Sequence, residues 1–424
     1  MYHMVRRFGV VLYAVIALSA TAHAQVHRWT WMLGTTGFDF AHSMAPGGEG
    51  DLFVAGAVSG SVDGQPYAGG SDVVVVRVST GGDVQWVRMF GSSSPNGENY
   101  AAVACRRVTG EVYVVASASG TIDGNTPLGW TDMVLVKYDR SGSRVWTRMR
   151  GTVQRDIARA VGVHQESGDV YVAGHTNRSL DGELNAGGFD VAVVKYAGDG
   201  TWLWTRLVGS SSTEEGHACA VDGVGNVYVA GRAFGSVGGL PYAGGISDAL
   251  VVKISSDGVT QWVDLVGSSL TDAYAGIAVG PDGSVYAVGS VGESVFGQPY
   301  AGGDSDLLLV KYSSDGVRRW TRLLGSSMTD TGYGVTVDAA GDVFVTGWVS
   351  ASVGAQPYAG GEDVLVAKYS SDGELRWVAM RGGSSNDRGY GIAVDGAGGV
   401  YVAGHASQAL DGKTYRGMTD VLLL

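Results

Sequence analysis

Seven tryptophans in this chain each stand five residues before a glycine: Trp29, Trp86, Trp146, Trp204, Trp262, Trp320 and Trp377. Their spacings are 57, 60, 58, 58, 58 and 57 residues. Seven aspartates keep the same register, each opening an apolar run: Asp72, Asp132, Asp190, Asp248, Asp306, Asp363 and Asp420. A unit recurring at such a period is a module that buries its apolar faces only against its neighbours. That constraint outweighs length, which at 424 residues would otherwise allow two or three independent domains.

One unit reads as four strands. The first is small and apolar, as in "YAGIAVG" (274–280) and "YGIAVDG" (390–396), and a glycine turn leads to "SVYAVG" or "GVYVAG". A long loop follows, then "DLLLVKY" (306–312), and "SSDG" turns the chain into "VRRWTRLLG" (317–325). Four short strands per unit fit a β-propeller blade. Gly and Ala suit a crowded axis, and the unbroken Val/Leu of the third strand suits a sheet covered on both faces. The prediction is therefore all-β: a single seven-bladed β-propeller of four-stranded antiparallel blades spanning residues 25–424. The unit containing Asp420 ends at Leu424, before its fourth strand, while "VHRWTWMLG" (26–34) is a spare fourth strand at the other end. We expect the N-terminal strand to complete the last blade and hide a sheet edge.

The residues that mark the repeat resemble the seven-bladed β-propeller repeat (SBBP repeat) family. Its Gly-Gly-x-Asp, apolar run and Lys, then "GIAVD", Gly and "VYVAG", stand in "YAGGDSDLLLVKYSSDG" (300–316) and "GYGIAVDGAGGVYVAG" (389–404). The resemblance covers roughly residues 26–424. It implies an exported propeller scaffold and no common chemistry.

Residues 1–24 read as a signal peptide: "MYHMVRR", then the apolar "FGVVLYAVIALSA", then Ala22-His23-Ala24 as the cleavage site. The apolar run is too short for a bilayer, which needs about 20 residues, and no later segment is apolar enough to span one. The mature protein is expected to be secreted, periplasmic or at the cell surface, and monomeric. A net charge of −12 argues against nucleic acid or an anionic membrane as partner. Cys105 and Cys219 read as two buried free thiols, one register step apart and so on opposite faces.

Strand order puts the long second-to-third loops and the fourth-to-first connections on one face, where propeller function concentrates. The loops repeat "SVDGQPYAGG" in near-identical copies. They place Tyr67, Tyr242, Tyr300, Tyr358 and Tyr415 equivalently, with Trp130 near that place in another blade. These aromatics either pack and cap their own loops or grip a glycan or protein segment. Near-identity across blades favours the first.

Five residues after the landmark glycines stand Asp39, Asp156, Glu214, Asp272, Asp330 and Asp387, with Asn96 in the remaining blade and Glu98 close by. Either each carboxylate caps its own loop, or the set rings the channel mouth and holds a Ca²⁺-like cation through oxygen ligands. The basic residues closing the third strands (Arg77, Lys137, Lys195, Lys253, Lys311, Lys368) read as structural partners of neighbouring carboxylates.

No nucleophile and base share a register with a histidine that could serve them. His42 and His217 share one register, and His175 and His405 another, in nonadjacent blades. The sequence reading is an exported, noncatalytic binding or surface-interaction module whose long-loop face takes a protein, a glycan or a cation. A secreted hydrolase or lyase at the channel mouth is the alternative, and a purely structural envelope component the third.

Overall fold

The computed structural model describes residues 29–94, 100–413 and 415–424. The signal-peptide reading and Asn96 and Glu98 lie outside the described residues. Every regular element described is a β-strand, grouped into seven four-stranded sheets. The innermost strands are Phe40–Pro46, Ala101–Arg106, Asp156–Val163, Glu214–Val221, Ala273–Val279, Asp330–Val337 and Asp387–Val394, and they number blades 1 to 7. In blades 1 to 6 the chain runs outward through four consecutive antiparallel strands.

Blade 7 is assembled from both ends of the chain. Its order is Asp387–Val394, Val400–Ala406, Asp420–Leu423 and then Trp31–Leu33, paired antiparallel as Trp31 to Leu423 and Leu33 to Val421. The N-terminal strand therefore closes the ring, as the spare-strand argument requires. Among the described residues no helix is long and apolar enough to cross a membrane.

The two sevenfold landmarks turn out to be one contact. A Cβ placed on Gly267 would lie 2.2 Å from Asp248 Oδ1, and on Gly91 2.2 Å from Asp72 Oδ1. The same holds at Gly34, Gly151, Gly209, Gly325 and Gly382, each against the Asp that opens its own blade's third strand. Only glycine leaves room for that carboxylate, so the two residue types recur together. The Asp in turn holds the long loop: Asp248 Oδ2 accepts from Ala243 N at 2.7 Å, and Asp363 Oδ2 from Ala359 N at 2.8 Å.

The tryptophan and the basic residue that face each other across the outer strand pair staple one blade to the next. Trp204 Nε1 and Lys195 Nζ both donate to Ser256 O in the following blade's outer turn, at 3.0 and 3.1 Å. Trp320 and Lys311 do the same to Ser371 O. The ammonium also reaches a carboxylate of its own blade, as in Lys195–Asp169 at 2.9 Å and Lys368–Asp342 at 2.7 Å. At the seam, Trp29 Nε1 donates to Thr80 O in blade 1's outer turn at 3.1 Å. The apolar core lies between blades, with Val and Leu of the middle strands almost wholly buried.

Candidate functional site

The loop tyrosines spend their hydroxyls locally. Tyr300 donates to Gly303 O at 3.0 Å, Tyr242 to Gly245 O at 3.0 Å, and Tyr67, Tyr358 and Tyr415 to the carbonyl three residues on in their own loops. Tyr67 is 36% exposed, and the other four rings are half-buried. Trp130 is 64% exposed, with the Arg155 guanidinium 5.7 Å from its ring centre.

The acidic set is fully buried and faces its own loops. Asp272 accepts from Ser268 N, Ser268 Oγ and Gly292 N, and Asp330 from Ser326 N, Ser326 Oγ and Ser350 N. Glu214 accepts from Ser210 N and Oγ, Asp387 from Gly383 N and Ser407 N. Asp39 takes Thr35 and Ser59 N–H groups, and Asp156 takes Thr152 and Thr176. Each neighbours the third-strand Asp of the preceding blade: Asp306 and Asp330 both crowd Gly325, and Asp190 and Glu214 both crowd Gly209. Burial first, and then the neighbouring carboxylate, push Asp306 and Asp387 up to about 6. Among the described residues no three His, Cys, Asp or Glu side chains converge as a metal site requires.

The axial channel is built differently. Six innermost strands carry a β-bulge at one register position, occupied by His42, Arg159, His217, Ala275, Tyr333 and Tyr390. The blade 2 strand pairs without a bulge, and Tyr100, the residue before it, takes the corresponding place in the lining. A bulge leaves its extra residue outside the ladder and re-aims it. Here these seven side chains line a cavity of about 450 Å³ on the propeller axis. Two residues further along, three in the unbulged blade 2, lie Met44, Val103, Val161, Cys219, Ile277, Val335 and Ile392. The innermost strands all run the same way along the axis, so the first set forms a collar towards the long-loop face and the second an apolar floor beneath it.

The collar carries a charge without a counter-ion. Among the described residues no carboxylate pairs with Arg159, and the cavity lining contains none. The guanidinium lies over the Tyr100 ring at 5.0 Å, and its Nε, buried, has no hydrogen-bond partner. Burial and then the Arg159 charge push the His42 imidazole down to about 3, so the ring is neutral at pH 7. That ring stacks on Tyr100 at 4.7 Å, and its Nδ1 is unpartnered. His217 is held between Tyr274 O at 3.0 Å and Glu215 Oε2 at 3.2 Å, and Glu215 is itself neutralised by Arg232 at 2.8 Å. Burial pushes Tyr390 and the Cys219 thiol up to about 12. The arrangement offers donors and one cation above an apolar chamber; it can hold a carboxylate and has no activated nucleophile.

Sequence reasoning missed this collar. Nonadjacent blades converge at the axis, so the shared register of His42 and His217 places both on one cavity. Cys105 and Cys219 are free, and the register puts Cys105 opposite Val112 and Cys219 opposite Val229. They therefore differ by two steps rather than one, because between equivalent pairs the blade 2 connection is one residue longer, Cys105 to Val112 enclosing six residues and Val221 to Val227 five.

The sequence model of the beta-propeller repeat (SBBP) matches residues 319–348 and 377–408. The regulatory protein FlaEY of Caulobacter vibrioides is 27% identical over 198 residues, 42% of this chain and 20% of that protein. An uncharacterized WD repeat-containing protein, L264, of Acanthamoeba polyphaga mimivirus is 25% identical over 248 residues, 46% of this chain and 18% of that protein. The chain thus spans about a fifth of the length of either relative. Among solved structures, polysaccharide lyase Uly1 superposes with a TM-score of 0.49 at 10% identity, covering 97% of this chain and 98% of that one. A gluconolactonase, XC5397 of Xanthomonas campestris, does so with a TM-score of 0.40 at 13% identity, covering 76% and 85%. Likeness at this level is silent on chemistry.

Proposed function

We propose that this chain, a propeller built of SBBP β-propeller repeats, is an exported noncatalytic binding module whose channel collar holds the carboxylate of an acidic ligand. The observation that carries the reading is Arg159, a guanidinium facing a cavity with no carboxylate in its lining. An unpaired, partly desolvated cation is costly to keep unless something neutralises it. Guanidinium and carboxylate match in charge and in their paired hydrogen bonds.

The hydrolase or lyase alternative is weaker at this site. A general base works best with a pKa near the operating pH, and two of the collar's titratable groups, His42 at about 3 and Tyr390 at about 12, lie far from it. A purely structural component would have no saturable ligand. Benzoate and benzamide, isosteric but differing in charge, separate these readings by calorimetry. Benzoate is expected to bind, benzamide at least tenfold more weakly, and Arg159→Ala to remove the difference. Equal binding of the two, or an unaffected Arg159→Ala, would overturn the reading.

A further inference from the structure

One blade joins the collar to the surface by an unbroken run of aromatic rings. Phe38 is 50% exposed on the long-loop face and stacks on Phe40 at 6.2 Å with the planes 5° apart. Phe40 stacks on His42 at 5.9 Å, and His42 on Tyr100 at 4.7 Å. Phe40 also meets the edge of His405, whose Nδ1 is unpartnered in a side chain only 4% exposed. The five other described copies of these two positions hold no aromatic residue: Arg155, Thr213, Thr271, Thr329 and Asn386 correspond to Phe38, and Ile157, Glu215, Ala273, Thr331 and Arg388 to Phe40. The repeat itself therefore does not require the strip. Its backbone is pinned across the ring seam, where Phe38 bridges Thr419.

We propose that the collar's ligand is the uronate end of an acidic oligosaccharide, which enters from the long-loop face along the Phe38–Phe40 strip. The proposal rests on the carboxylate reading of the collar and names its ligand class. Aromatic faces carry negative charge density and attract the polarised C–H faces of sugar rings. Beside the strip, the bidentate Arg388–Glu362 pair supplies donors and an acceptor together, the chemistry that sugar hydroxyls need. The apolar floor offers no partner to hydroxyls, so a sugar stops at the collar. A peptide would instead seek main-chain bonds along a regular strand edge, and the bulge at His42 interrupts that edge.

Calorimetry on the full-length protein with galacturonate, mannuronate and guluronate, each against its linear tetramer, tests this. At least one tetramer is expected to bind about tenfold tighter than its monomer. Phe38→Ala should erase that advantage and leave monomer binding unchanged, whereas Arg159→Ala should weaken both. A tetramer advantage unmoved by Phe38→Ala overturns the strip while the collar stands. Benzoate binding without any uronate binding, or tight binding only of peptides ending in a free carboxylate, overturns the glycan class. Arg159→Ala binding every acid as the wild type does would remove the collar reading itself.

Discussion

The rim of this propeller and its axial collar are made by the same seven modules, yet they obey opposite rules. At the rim every blade repeats the same contact: a glycine with no room for a Cβ, an Asp occupying that room, a loop N–H on its other oxygen. At the collar the blades present His42, Tyr100, Arg159, His217, Ala275, Tyr333 and Tyr390, four residue types around one ring. Residues forced by geometry recur, because any departure costs stability. Residues free to differ, gathered around one cavity, are where a single asymmetric ligand can be recognised.

The largest expected effect lies at the rim. Gly267→Ala places a methyl carbon 2.2 Å from Asp248 Oδ1. Overpacking of this kind costs about 1–3 kcal/mol, and the displaced carboxylate also loses Ala243 N. We expect a fall in the urea midpoint at unchanged ligand affinity. Adding Asp248→Ala should recover part of the loss, since the two changes share one contact. If Gly267→Ala is as stable as the wild type, the glycine rule is wrong.

A pH series is next in size, and its carboxylate part belongs to the rim. Asp306, Asp387 and Asp420 are each pushed up to about 6, by burial first and then by the facing carboxylate. A folded-state pKa above the unfolded value of about 4 means protons taken up on folding. That stabilisation is complete below about pH 4 and is lost as pH rises through 6. Glu215, lowered to about 2, acts in the opposite sense: although burial opposes it, His217 and Arg232 favour its charged form, and its contribution is lost only on strong acidification. The buried histidines His42, His175 and His405, each lowered to about 3 by burial first, act against this trend, their contribution growing as pH rises towards 6.5. The carboxylate part is therefore read by difference: Asp306→Asn should gain stability relative to the wild type as pH rises from 4.5 to 7.5. A difference in urea midpoint between the two that stays constant over that range would contradict the carboxylate-pair account.

The contrast also explains what the sequence revealed. Trp, Gly and Asp at a fixed period were enough to infer seven blades and the closing strand, because those residues answer to geometry alone. The staple role of Lys195 and its equivalents was half legible: the carboxylate partner was foreseeable, the shared carbonyl of the next blade was not. The collar escaped for a physical reason. A bulge adds one residue to a strand of period two, so counting alternation misplaces the side chain it carries. Variation was a partial signal: the collar position changes from His42 to Arg159, Ala275 and Tyr333 between copies, but the Phe40 position two residues earlier varies more.

The smallest expected effect is that of Ca²⁺, and it bears on whether the rim carboxylates are free to do anything else. A site with a Kd of 10 µM would add about 2.7 kcal/mol at 1 mM ion, and one with a Kd of 1 mM about 0.4 kcal/mol. Asp272 Oδ1 already accepts from Gly292 N at 2.9 Å and Ser268 Oγ at 3.0 Å, and Oδ2 from Ser268 N and Oγ. To ligate a cation it would have to surrender bonds that leave buried N–H groups unsatisfied, at about 1–3 kcal/mol each. Two such losses would weaken a site of otherwise 10 µM affinity by about thirtyfold or more, leaving little gain at 1 mM ion. Thermal melts with and without 1 mM Ca²⁺ should therefore coincide, and Asp272→Asn should melt alike in both. A rise of several degrees that vanishes in Asp272→Asn would show that the acidic set can leave its loops, and the division between a fixed rim and a recognising collar would fail at that point.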